Sequence, residues 1–204
     1  MNYKCILLGL FLLPVFGRAQ NHSVPEKPED ISPLLIGESI PMISLKDAMG
    51  HPFSLTDQAA DTPTILVFYR GGWCPFCTKQ LAGLQEILPD LKAMGYQLWA
   101  VSTDAPEGLT ASAAKQNLDY LLLSDADLTA AKLFGIAFKA PVNYRDLLPK
   151  TSGGMNKELL LPVPSVFIID KRGVIRFEYI NRDFKRRLDS GLLMAVARQL
   201  QTEL

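Results

Sequence analysis

The chain has 204 residues, with 21 basic and 21 acidic side chains, so its formal net charge is zero. That balance leaves no basic excess to neutralise phosphates and excludes an electrostatically driven nucleic-acid binder. Gly and Pro stand at 14 each, which excludes collagen-like and disordered chains, and no fixed-period repeat points to a solenoid.

Residues 1–19 read as a secretory signal peptide. Lys4 gives the basic start, Cys5 to Phe16 a nearly unbroken apolar run, and Gly17 and Ala19 the small residues of a cleavage site. The run is short for a bilayer span, which needs about 20 residues; an uncleaved anchor is the alternative. The expected location is therefore exported and periplasmic, soluble after cleavage or tethered by the N-terminal segment. Cleavage would remove Lys4, Arg18 and Cys5, leaving a small acidic excess and two cysteines, Cys74 and Cys77. Residues 20–33 carry Pro25, Pro28 and Pro33 and read as a flexible leader; residues 34–204 read as one domain.

In chain order, Ile40 to Leu45 and Pro52 to Leu55 flank Met49-Gly50 as a hairpin. Thr64 to Tyr69 is a continuous apolar run of β-formers, a buried central strand. After Gly71-Gly72 a helix starts near Pro75, a residue suited to the first helical position. Cys77, Leu81, Leu84, Leu88 and Leu91 give it one apolar face, Pro89 is expected to kink or split it, and Gly95 ends it. Strands follow at Tyr96 to Ser102 and Tyr120 to Leu123, with helices at Glu107 to Leu118 and Leu128 to Phe134. Lys139 to Pro162, with Pro141, Pro149, Gly153 and Gly154, reads as a long surface loop with one helical turn, bordering the active site. Ser165 to Asp170 and Val174 to Tyr179 form a hairpin around Lys171-Arg172-Gly173, and Ser190 to Gln201 a closing amphipathic helix. The alternation is that of an α/β fold with a mixed sheet.

The chemistry concentrates at Tyr69-Arg-Gly-Gly-Trp-Cys74-Pro-Phe-Cys77. A cysteine at a helix N-terminus faces unpaired N–H groups and the positive end of the helix dipole, which favour the thiolate. A second cysteine one turn later sits on the same side and can resolve a mixed disulfide formed by the first. A C-x-x-C pair closes too little chain to staple a fold; a structural disulfide or two buried thiols is the bland alternative.

W-C-P-F-C after an apolar strand resembles the thioredoxin fold. The wider pattern resembles the AhpC/TSA peroxiredoxin-like branch of it, over roughly residues 34–203. The markers are Phe68 to Cys77, Val101-Ser-Thr-Asp104, Leu123-Ser-Asp125 and Val163-Pro-Ser-Val-Phe-Ile-Ile-Asp170. The resemblance implies a three-layer fold with a mixed central sheet and an N-terminal hairpin extension. It implies that Pro164 is a cis-proline facing the cysteines, which would leave the backbone of Val163 free to pair with an incoming peptide. It also exposes departures. With Cys77 in the peroxidatic position, the family's Pro, Thr and Arg positions hold Arg70, Cys74 and Pro164. Arg70 is the candidate substitute cation. The buried acid of thioredoxins is replaced by Phe68, leaving Asp104 and Asp125 as candidate proton acceptors.

Among weaker signals, Trp73 is expected to cover the cysteines and pack against substrate, or else to be a cleft aromatic. Arg182, Lys185, Arg186 and Arg187 read as a solvated basic segment. His22 and His51 stand at no metal-ligand spacing with the cysteines, and the pattern asks for no cofactor.

Three functions follow. The leading one is a thiol–disulfide oxidoreductase, with Cys74 as nucleophile and Cys77 as resolver, exchanging electrons with a protein disulfide or a thiol reductant. The second is a thiol peroxidase with Cys77 as the peroxidatic cysteine and a hydroperoxide as substrate. The third is a Cu(I)-binding protein, since paired thiolates suit that ion.

Overall fold

The computed structural model describes residues 23–204; the signal-peptide segment, with Lys4 and Cys5, lies outside the described residues. The elements run β1 (Ser44–Asp47), β2 (Pro52–Ser54), α1 (Leu55–Ala59), β3 (Thr64–Phe68), α2 (Pro75–Ala93) and β4 (Gln97–Ser102). Next come α3 (Pro106–Gln116), β5 (Leu121–Ser124), α4 (Thr129–Leu133), β6 (Ala137–Lys139), α5 (Leu148–Thr151) and β7 (Leu160–Pro162). β8 (Ser165–Ile169), β9 (Ile175–Ile180) and α6 (Ser190–Leu200) complete the chain.

The main sheet has the order β2-β1-β5-β4-β3-β8-β9. β3 pairs parallel with β4, and β4 with β5; β8 and β9 join antiparallel on one side, the β1–β2 hairpin on the other. It is thus a mixed sheet with a hairpin extension, as the resemblance implied.

Two-residue alternation on the central strands builds both cores. Ile65, Val67, Leu98, Ala100, Val166 and Ile168 face the helical layer of α2, α3 and α6. Leu66, Phe68, Trp99, Val101, Phe167 and Ile169 face α1, α4 and the chain before the hairpin. The leader is laid along this second face from Ser23 onward, with Val24 and Ile31 against the core and Lys139 N–H donating to Pro25 O at 2.9 Å.

Three expectations are corrected. Pro89 lies inside a continuous α2 rather than splitting it. Its ring is exposed, so the interrupted turn is on the solvent side while Leu84, Leu88 and Leu91 stay buried. The stretch from Lys139 to Pro162 is not a long surface loop. β6 and β7 pair antiparallel across its ends, from Ala137 opposite Pro162 to Lys139 opposite Leu160. Inside it, buried Asn156 clamps the main chain of Leu160 by two hydrogen bonds, at 2.8 and 2.9 Å. Finally, the first hairpin is shifted: its strands pair Ser44 to Lys46 with Ser54 to Pro52, and Leu55 already opens α1 under a Ser54 cap.

Candidate active site

β3 delivers the chain to the top of the sheet, where Tyr69 N–H still bonds Val101 O at 2.9 Å. Gly71 then turns at φ +148°, a conformation side chains rarely adopt. Gly72 N–H donates to Asp104 Oδ2 at 2.7 Å, and Thr103 Oγ1 donates to Arg70 O at 2.9 Å. The loop that follows β4 therefore holds the loop that follows β3. Cys74 is the N-cap residue of α2, with Pro75 at the first helical position. Its carbonyl accepts from the N–H groups of Cys77 and Thr78, both at 3.0 Å.

Both cysteines are free thiols, at 1 % and 0 % exposure for Cys74 and Cys77. Their acidities are driven apart. Cys74 is lowered to about 5, chiefly by the hydrogen bond from the Cys77 thiol against the opposing effect of burial. The Cys77 backbone N–H and the Arg70 and Arg187 guanidiniums add to the lowering. Cys77 is pushed up by burial and by the adjacent Cys74 sulfur. The arrangement favours the thiolate at Cys74 and the thiol at the shielded Cys77.

Arg70 points inward, at 3 % exposure. Its guanidinium carbon lies 5.1 Å from the ring of Trp73, 4.2 Å from Tyr144 and 4.4 Å from Phe184. None of the ion pairs among the described residues involves it, so aromatic faces and not a carboxylate hold this cation. Trp73 also stacks on Tyr144, with centroids 5.5 Å apart, and packs against the cluster containing both cysteines. Phe76 meets Phe184 edge to face at 5.6 Å. The stretch after β6 does border the site, as its sequence position suggested, because it supplies Tyr144.

Arg187 is the residue the sequence hid. Expected to be part of a solvated segment, it instead reaches back to α2 and donates from Nη2 to Cys77 Sγ at 3.4 Å. Arg182, Lys185 and Arg186 are exposed as expected.

Pro164 and Val163 are also corrected. The peptide bond between them is trans; no cis bond occurs among the described residues. The Val163 N–H is not free to pair with a peptide, because it donates to Ile136 O at 2.8 Å; the carbonyl accepts from Ser165 Oγ at 2.8 Å. The chain runs on extended from β7 into β8, and these bonds fix it there. Pro164 nevertheless shares a small cavity of about 110 Å³ with Arg70, Tyr144 and Phe184.

Of the two candidate acids, Asp104 belongs to the site. Burial pushes its carboxyl up to about 6, against the Gly72 N–H and the Trp73 ring N–H that favour its ionised form. Asp125 does not: it caps α4, accepting from Ala130 N–H and Ala131 N–H at 2.8 Å each. Among the described residues no group of three or more His, Cys, Asp or Glu comes together to hold a metal ion, so no third ligand of those types joins the cysteines for Cu(I).

Residues 36–178 match the model of the AhpC/TSA family. Among curated relatives, Peroxiredoxin Bcp of Escherichia coli K12 is 32% identical over 155 residues, covering 76% of this chain and 90% of that one. Among solved structures, Peroxidoxin BcpB of Mycobacterium tuberculosis superposes with a TM-score of 0.65 at 21% identity, covering 83% of this chain and 97% of the other. Reduced Prx3 of Vibrio vulnificus in complex with hydrogen peroxide gives 0.69 at 19% identity, covering 81% and 96%. These two likenesses establish the thioredoxin-like peroxiredoxin fold.

Proposed function

Since the chain belongs to the AhpC/TSA family and is an oxidoreductase, we propose that it is a thiol peroxidase working through the Cys74–Cys77 dithiol. The relative named a peroxiredoxin supports this reading ahead of a general thiol–disulfide oxidoreductase. The structural observation that carries it is at Val163. With the Val163 N–H engaged and Pro164 carrying none, this segment beside Trp73 and Arg70 offers no backbone donor to a polypeptide substrate. Two nearly buried sulfurs suit a small oxidant.

In the proposed cycle the Cys74 thiolate attacks the terminal oxygen of a hydroperoxide. The O–O bond breaks, the alcohol or water leaves with a proton, and Cys74 carries a sulfenic acid. The Cys77 sulfur then attacks the Cys74 sulfur, expelling water and forming the disulfide. A thiol reductant restores both thiols by exchange. Arg70 supplies the cation beside the reacting sulfur. The sequence pattern of residues 1–19 supports an exported setting for this chemistry.

Stopped-flow oxidation of the reduced protein by hydrogen peroxide, with sulfenic-acid trapping in Cys74→Ser and Cys77→Ser, tests the reading. The expected result is oxidation far faster than a free thiol, with sulfenic acid trapped on Cys74 in Cys77→Ser. Trapping only on Cys77, in Cys74→Ser, would exchange the two roles within a peroxidase. A rate at the free-thiol level would overturn the peroxidase reading and leave the thiol–disulfide oxidoreductase, which the C-x-x-C pair and its divided acidities also suit.

A further inference from the structure

The dithiol cycle proposed above leaves a chemical difficulty in its reductive half. An incoming thiolate that attacks the Cys74 sulfur of the disulfide must expel Cys77, and disulfide exchange is fast only when the leaving thiol is acidic. Cys77 is poorly placed for this. It is fully buried in an apolar cluster with Leu81, Leu84, Tyr69 and Leu109, where a thiolate is costly unless a partner receives its charge.

We propose that Arg187 is the catalytic residue that receives this charge. Its Nη2 donates to Cys77 Sγ at 3.4 Å, and no other cationic side chain among the described residues donates to that sulfur. The residue is fixed from the chain that follows it: Leu188 is anchored in the core, and Asp189 caps α6 through the N–H groups of Gly191 and Leu192, at 2.9 and 3.3 Å. Arg187 also lines a cavity of about 410 Å³ between the starts of α2 and α6, together with Phe76, Lys79, Gln80 and Lys185. The family's arginine position is occupied here by Pro164, so this cation arrives from a different element and acts on a different step.

A reductant thiolate forms a bond to the Cys74 sulfur while the S–S bond breaks. Its electron pair goes to Cys77, whose negative charge is held by Arg187. A second reductant thiolate then attacks the mixed disulfide at the reductant's sulfur. This releases Cys74 as the thiolate and the reductant as its disulfide, and Cys77 takes up a proton from solvent.

The test isolates this half-reaction. The disulfide is formed with diamide, so that the outcome does not depend on peroxide reactivity, and its reduction by dithiothreitol is followed by stopped-flow fluorescence. Arg187→Leu is expected to slow reduction about tenfold or more, Arg187→Lys to recover most of the lost rate, and Lys185→Ala, which lines the same cavity without touching the sulfur, to stay within about twofold of the native rate. Native-like reduction in Arg187→Leu would overturn the proposal. So would an Arg187→Lys variant as slow as Arg187→Leu, which would mean that the side chain matters for packing and not for its charge.

Discussion

The guanidinium of Arg70 lies 4.2 Å from the ring of Tyr144, and this contact joins the reactive loop to a segment that follows β6. A buried cation held by aromatic faces keeps most of its charge available to a neighbouring anion, because no carboxylate neutralises it. That anion is the Cys74 thiolate, whose acidity Arg70 increases. In the native protein, iodoacetamide alkylation of Cys74 is expected to depend on pH with a midpoint near 5. Arg70→Met should move that midpoint up. An unmoved midpoint would mean that the Cys77 thiol and the helix terminus account for the acidity without the guanidinium.

Gly71 has no room for a side chain. At φ +148°, a Cβ there would collide with the Trp73 indole and approach Asp104 Oδ1 to 2.8 Å. Gly71→Ala is therefore expected to lose about 1–3 kcal/mol of stability and to swing Trp73 outward. Denaturant unfolding reads the first effect. A red-shifted emission in a Trp99→Phe background, where Trp73 is the remaining indole, reads the second. A native spectrum in that variant would show that Asp104 yields instead.

The strand–helix junction was legible in the sequence because both of its signals are local. Thr64 to Tyr69 is a run of β-formers, and Cys74-Pro75 a helix start that the structure reproduces at the N-cap and first position. What surrounds the sulfurs was not legible. Arg187 reaches Cys77 across 110 residues, and Tyr144 and Phe184 meet Arg70 from two separate segments. Neither segment has a periodicity that marks its inward side chain. The density of Pro and Gly between Lys139 and Pro162 was misleading for a related reason: the order there comes from the non-local pairing of β6 with β7 and from the Asn156 clamp. Pro164 is trans, and the long-range bond from Val163 N–H to Ile136 O beside it has no local sequence pattern that announces it.

Asp104 makes stability depend on pH in a defined direction. Its folded value of about 6 is above the ordinary 3.8, so the folded chain holds the proton more tightly than the unfolded one. Its favourable contribution is complete below about pH 4 and is lost as pH rises through about 6. Asp104→Asn keeps an oxygen to accept from Gly72 N–H and carries no charge at any pH. Between pH 4 and pH 7.5 its unfolding free energy should therefore improve relative to the native protein, by on the order of 2 kcal/mol. Urea unfolding at the two values measures the difference. An equal offset at both would assign Asp104 to the loop's hydrogen bonding alone.

The backbone around Val163 limits the size of substrate the site admits. A polypeptide disulfide is attacked efficiently when the neighbouring strand offers it backbone hydrogen bonds, since main-chain pairing aligns the reacting sulfurs. At Val163 the donor is committed to Ile136, and the following Pro164 has no N–H to offer. A protein substrate would have to break the bond to Ile136 before it could pair with the Val163 N–H. Insulin reduction by the protein, with dithiothreitol as the electron source, is therefore expected to run close to the uncatalysed rate, while hydrogen peroxide is consumed in the same buffer at a rate that depends on Cys74. Rapid insulin reduction that requires Cys74 would show that the Val163 segment opens on binding, and would return protein disulfides to the substrate range of this dithiol.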